Sequence, residues 1–378
     1  MRNQKDTERA SRMGIGRRVR ATILTAALAG VAIGAAGRAL AQPEPPRFEA
    51  HVLERVEPRN GFDDYGYSIH AMADDGTVYG TVYNRQQNRF KAIRARVGEG
   101  TTWLLPRDPG VVELRPIAPS ISGAVLLTIA PGYDYIYVPG HGIRRLNNLH
   151  PEWFFVNDMN NSHVLVGLVA PSPNNRAVVY RHAQGFEILH EAKSSAMAIN
   201  DAGSVVGHLD AGIGWINVRI WHADGRTSTF TLPRSSTTPI GAVSINSSDE
   251  VVGMHMRRDS TSDSRWAGWF WSERTGLVEI PFRYIYPEGG FDVQIYGISD
   301  DGWVLGEEHL RGTRGQDYFL WHVDAGFFDL GDLYDWQSRF AYPADGHGGA
   351  VNADGQMTIP TTSLNGRGVI LFLNPTQQ

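Results

Sequence analysis

The 378-residue chain contains no cysteine, which excludes disulfide bonds and thiolate metal ligands together. It also lacks three common catalytic signatures: His-Glu-x-x-His, Gly-x-Ser-x-Gly and a glycine-rich phosphate loop. Positive charge is thin. The sequence holds 35 Lys+Arg and 40 Asp+Glu, but beyond residue 41 the counts are 27 and 38, a balance of −11. With no basic cluster in that stretch, nucleic acid and anionic membrane surfaces are excluded as partners. No Pro- or Ser-rich linker divides the chain after residue 41, although its length exceeds what most single hydrophobic cores hold.

What is present begins with an address. Arg17 and Arg18 precede a mildly apolar, Ala-rich run over residues 21–37, and Ala39-Leu40-Ala41 offers a small-x-small cleavage site before Gln42. The run is too short and too rich in Ala and Gly for a stable membrane span. The paired arginines resemble a twin-arginine export signal. Val19-Arg20-Ala21, however, stands where that signal carries bulky apolar residues, so the general export route is the alternative. The expectation is a signal over residues 1–41, cleaved after Ala41, and one domain over 42–378. That domain is placed in the periplasm or outside the cell, with no membrane span of its own.

After the leader, one nine-residue phrase returns seven times: an apolar residue, a short polar run usually holding Gly, then a Val-rich stretch. The clearest copy is 199–207 (INDAGSVVG); 72–80, 159–167, 245–253 and 298–306 are near copies, 351–359 is looser and 119–127 looser still. Its turn position is filled by Gly76, Gly123, His163, Gly203, Asp249, Gly302 and Gly355, 40 to 53 residues apart. A unit of this length cannot bury its own apolar face and must stack on its neighbours.

The fourth unit parses as four strands: 195–200, a tight Asp201-Ala202-Gly203 turn suited to positive φ, then 204–209, 218–221 and 227–232. Four short strands in about 40–50 residues match a propeller blade, whereas a β-helix coil would repeat at about half that. The seventh unit lacks its fourth strand, and segment 47–53 (RFEAHVL) has the pattern of the missing piece. Pairing it with 369–373 would close the ring and leave no open edge. The expected fold is therefore all-β: a seven-bladed β-propeller of four-stranded blades, closed by an N-terminal strand. Six blades is the alternative, if 119–127 is not a unit.

The phrase INDAGSVVG, the aromatic third strand Trp269-Phe270-Trp271 and the acidic fourth strand Phe328-Asp329-Leu330-Gly331 together resemble the HAF-type extracellular repeat of bacteria. The resemblance covers most of the chain from Ser68 onward and departs at Pro119-Ser120, His163 and Asp249. It implies a secreted repeat protein and carries over no catalytic residues.

With the first strand of each blade innermost, the turns after strands one and three share one face, the turn face. The longer connections share the other, where function concentrates. Connections into blades one, six and seven (57–66, 283–294 and 334–347) are long and aromatic, and a closed ring makes those blades consecutive. The candidate ligand residues there are Tyr65, Arg283, Tyr284, Tyr286, Trp336, Arg339 and Tyr342, accompanied by Phe62, Phe291, Phe340, Asp63, Asp64, Glu288 and Asp335. Rings beside charged groups suit a sugar or a peptide; the alternative is that these loops pack their own aromatics.

His208, Asp210, His255, Glu307, Glu308 and His309 follow the second strands of units four to six. Their unequal offsets from Gly207, Gly253 and Gly306 favour separate surface positions over a converged metal or acid–base site. His70 and His347 lie near first strands, where an interior position is expected. The Asp-x-Gly turns lack the oxygen-ligand run of a calcium loop. The functional expectation is a monomeric, exported, non-catalytic scaffold without metal or cofactor, holding a carbohydrate or peptide. A polysaccharide lyase or hydrolase using acids and histidines of the connection face is the alternative, and a purely structural role a third.

Overall fold

The structure is a computed structural model. It describes residues 43–53, 67–84, 89–104, 114–120, 122–129, 133–146, 149–150, 153–170, 175–210, 215–233, 241–258, 264–281, 291–310, 316–333, 340–341, 348–363 and 368–376.

Seven antiparallel sheets follow one another along the chain. Six are four-stranded meanders whose first strands are Tyr67–Met72, Leu114–Pro119, Phe154–Met159, Ser194–Ile199, Ala242–Ile245 and Phe291–Ile298. They are numbered here as blades one to six. Blade seven joins both ends of the chain: Arg47–Leu53 pairs antiparallel with Gly368–Thr376, placing Phe48 opposite Pro375 and Leu53 opposite Ile370. The 119–127 segment forms the first hairpin of blade two, so the ring has seven blades rather than six. In blade four the strands are Ser194–Ile199, Val205–Asp210, Trp215–Trp221 and Thr227–Pro233, close to the expected bounds.

Two strands lie where connections were expected. Phe291 starts the first strand of blade six, because Phe291–Gln294 finds ladder partners in Glu307–Leu310. Phe340–Ala341 pairs with Thr362–Ser363, while Ala350–Val351 pairs with Met357–Thr358. The inner strand of blade seven is thus made of two separate pieces.

The core is divided among the joints between blades. Seven apolar clusters occur among the described residues, and each is built by two neighbouring blades. Leu53, Ile370 and Phe372 of blade seven pack with Ile69, Val78 and Ile93 of blade one, so the closing joint is as apolar as the others. This explains the paired Val of the repeated phrase. Successive side chains of a strand point to opposite faces, and a blade's second strand is covered on both. Val205 packs towards blade three and Val206 towards blade five; Val251 and Val252 divide between blades four and six in the same way.

The glycine that closes the phrase answers to a β-bulge. The first strands of blades one, three, four, five and six each slip register at the same height, leaving His70, Asn157, Met197, Val243 and Tyr296 as the extra residue. The bulge drives a carbonyl against the second strand. A Cβ on Gly207 would sit 2.1 Å from the Ser195 carbonyl oxygen, and one on Gly167 1.9 Å from that of Phe155. Only glycine fits there.

Candidate functional site

The turn face is a hydrogen-bonded collar around the central channel. Asn200 Oδ1 accepts the Ser204 N–H (2.9 Å), locking its own turn, while its amide donates to the Asn246 carbonyl of the next blade (2.8 Å). Asn160, Asn246 and Asn352 repeat this, donating to Asn200, Ser299 and Ala73 carbonyls at 3.1, 3.0 and 3.2 Å. The following residue reaches backwards: Asp201, Asp300 and Asp74 accept the N–H groups of Asn161, Ser247 and Ala353 at 2.8, 2.9 and 3.3 Å. The Asn-Asp pair of the phrase therefore binds forwards and backwards around the ring.

The turn position is left-handed in every blade, including the two without glycine: His163 has φ +58° and Asp249 φ +60°. Each side chain reaches the preceding blade. His163 Nε2 meets Ser122 Oγ at 2.8 Å. Asp249 accepts from Asn200 Nδ2 (3.0 Å) and faces His222 Nδ1 (2.6 Å). Those contacts offset the strain of a non-glycine residue at positive φ.

Inside the collar is a polar cavity of about 280 Å³, lined by the inner strands and turns and carrying Asp74, Asp158, Asp201 and Asp300. Asn161 Nδ2 bridges two of them, donating to Asp201 Oδ2 (2.6 Å) and Asp74 Oδ2 (2.7 Å). Asp158 accepts the N–H of Met159 (2.8 Å) and of Ile199 in blade four (2.9 Å). Burial nonetheless pushes its carboxyl up to about 7, with nearby Asp201 adding to the effect and those N–H donors opposing it. His70 borders the same cavity and bonds through Nε2 to Thr81 Oγ1 at 3.0 Å, an interior histidine with a partner. Among the described residues no three His, Asp or Glu side chains form a metal-binding group.

Three of the acids and histidines expected at the surface, Glu307, Glu308 and His255, are buried within the second strands. Glu307 is 0 % exposed, Glu308 3 % and His255 8 %. The surface reading of these positions is corrected by the way strand Val304–Leu310 is covered on both sides. Glu307 turns towards blade seven, where Leu305 joins the joint with that blade; Glu308 shares the opposite side with Val304, which packs towards blade five. His309 Nε2 bonds Glu307 Oε1, which raises the imidazole's pKa although partial burial opposes it. Tyr296 and Tyr318 lie in the same layer, ring centroids 6.2 Å apart. Burial first, and then nearby charge, lift both phenols well above their usual range. The signal missed in the sequence was the side of the strand on which each acid stands, 307 against 308.

All seven candidate ligand residues, Tyr65, Arg283, Tyr284, Tyr286, Trp336, Arg339 and Tyr342, lie outside the described residues, as does His347. The structure places the strands those connections enter. Blades six, seven and one are consecutive, joined by Asp300 N–H to Ala353 O (3.0 Å) and by Asn352 to Ala73.

No protein-family model and no curated protein matches the chain. Solved structures match it as a fold. The β-propeller domain of the trilobed protease from Pyrococcus furiosus, reported with an open velcro topology, aligns with a TM-score of 0.50 at 11% identity, covering 83% of this chain and 97% of that one. An oligogalacturonate lyase from Vibrio parahaemolyticus aligns with a TM-score of 0.50 at 9% identity, covering 87% and 97%. At such identities the likeness is one of fold. The protein is a seven-bladed β-propeller.

Proposed function

We propose that the chain is an exported propeller of the HAF-repeat kind that captures a glycan or a peptide on its connection face, over blades six, seven and one. The observation that carries this reading is the closure. Because Arg47–Leu53 pairs with Gly368–Thr376, the connections richest in rings and charges enter three adjacent blades. Stacking surface beside fixed hydrogen-bond partners is what a sugar or peptide requires. Arg17-Arg18 and the Ala-rich run that follows support export. Among the described residues no helix is long and apolar enough to cross a membrane. The alternative is a lyase or hydrolase of polysaccharide using acids and histidines of the connection face.

Replacing Trp336 or Tyr286 with Ala is expected to weaken capture on glycan and peptide arrays at least tenfold while leaving the melting temperature unchanged. Undiminished capture by both variants would dispose of the site. Timed digests of polysaccharides, read for new reducing ends or unsaturated products, separate the enzyme reading from the scaffold.

A further inference from the structure

Blades four, five and six carry a tryptophan at the same position of the third strand. Trp221 stands opposite Val205, Trp271 opposite Val251 and Trp321 opposite Val304, and each packs into the joint with the preceding blade. Two of the three are covered there by a ring. Phe230 of blade four stacks on Trp271 at 5.4 Å, and Phe270 of blade five meets Trp321 edge-on at 5.5 Å, leaving them 8 % and 3 % exposed. Among the described residues blade three offers Trp221 no ring: Leu189 holds the place of Phe230, and Val179 that of Phe270. Trp221 is accordingly only partly buried.

A charged pair stands across the gap. Arg181 lies two residues beyond Val179, and Glu187 is the ladder partner of Val179, so both share its side towards blade four. Arg181 Nη1 donates to Glu187 Oε2 at 2.6 Å. These two and Trp221 line a cavity of about 500 Å³ on the turn face, to which Ser162 and Thr227 add hydroxyls. That volume lies within the roughly 300–1,000 Å³ of small-molecule sites. The next two joints are barred at this height. Arg226 Nη1 donates to Glu273 Oε1 across blades four and five (2.8 Å), and Arg274 Nη2 to Asp324 Oδ2 across blades five and six (2.6 Å). In blade three, Ala183 stands where blade five has Arg274, too short to reach across.

We propose that this cleft binds a neutral sugar ring, stacked on Trp221 and held through its hydroxyls by Arg181 and Glu187. A pyranose presents an apolar C–H face, which an indole matches, and neighbouring hydroxyls that both donate and accept. Arg181 supplies donors and Glu187 acceptors, side by side. Because the two are paired, the cleft offers no net charge to an ionic ligand. The other charged residues that line it are engaged: Asp201 accepts from Asn161, and Arg226 donates to Asp224 and Glu273. The side chains of Arg181 and Glu187 are 35 % and 59 % exposed, and an ion pair so exposed adds little to stability. The site lies on the opposite face from the long connections and does not depend on the capture proposed there.

The test follows the indole N–H resonance of Trp221 by NMR, identified by its loss in Trp221→Phe. Methyl glycosides of glucose, galactose and mannose, and their short oligosaccharides, are titrated into the full chain. The expected result is a saturating shift of that resonance with at least one of them. Glu187→Gln is expected to weaken the binding about tenfold or more with no change in melting temperature. Leu189→Phe, which supplies the kind of ring that covers Trp271, is expected to abolish it. No shift with any sugar, a shift produced by short peptides alone, or wild-type affinity in Glu187→Gln overturns the proposal. Should Leu189→Phe fail to fold, Glu187→Gln decides alone, its side chain being exposed. The Trp221 shift should persist in Trp336→Ala, so failure of this site and failure of the connection-face site are read separately.

Discussion

On the turn face, Asn160, Asn200, Asn246 and Asn352 do the same work in four different blades, each locking its own turn and donating to the next blade. Towards the connection face, the residue just past the end of the phrase is Thr81, Thr128, Leu168, His208, Met254, Glu307 and Pro360 in successive blades. Apart from the threonines of blades one and two, the residue type there changes from each blade to the next. Repetition marks residues that hold the ring. Divergence marks positions the ring leaves open, and those lie on the face that carries the long connections.

The comparison breaks most easily at the bulge glycines. Gly207→Ala brings a Cβ to 2.1 Å from the Ser195 carbonyl oxygen and is expected to cost about 3 kcal/mol or more, from backbone displacement in a packed joint. Gly203→Ala, with φ +93° but open space around it, should cost about 1–2 kcal/mol through left-handed strain alone. Denaturant titration of the two variants separates clash from strain, and equal losses would contradict the bulge explanation.

The asparagine collar sharpens the contrast at smaller scale. Asn200→Ala removes a turn acceptor and a donor to blade five, an expected loss of about 2 kcal/mol. Ser120→Ala, at the same position in blade two, loses only contacts with Ser122 and His163 and should cost under half as much. Comparable losses would mean that the collar is not what distinguishes these blades.

The smallest expected effect is a slope. Asp158, held up to about 7 by burial, keeps a proton in the folded state that the unfolded chain releases near 4. Stability should therefore fall as pH rises from about 4 to about 7. Asp158→Asn, followed by thermal melts over that range, should flatten the fall; an unchanged slope assigns it to other groups.

How much of this was legible in the sequence follows the same division. The Asp201-Ala202-Gly203 turn, the paired valines and the spare strand at 47–53 are local patterns, and the structure uses all three. What asparagine does was not legible, because its partner lies about 40 to 50 residues away in the next blade. His163 and Asp249 read as departures from the phrase, yet both keep its positive φ and use their side chains to hold the preceding blade. Glu307 read as a surface acid because its burial depends on blade seven closing over it. Phe340–Ala341 read as part of a connection because two residues carry no strand periodicity; its pairing with blade seven makes it a strand.

The most direct test of the closed ring exploits the missing cysteines. Glu49 and Asn374 are register partners in the closing pair, whereas Glu49 and Thr376 are offset by two residues. Directly opposed residues sit within disulfide reach and diagonal ones beyond it. Glu49→Cys with Asn374→Cys should form an intramolecular disulfide nearly quantitatively on mild oxidation, with no loss of melting temperature. Glu49→Cys with Thr376→Cys should remain largely reduced. Equal cross-linking in the two, or bonds only between chains, would contradict a ring sealed by its own first strand.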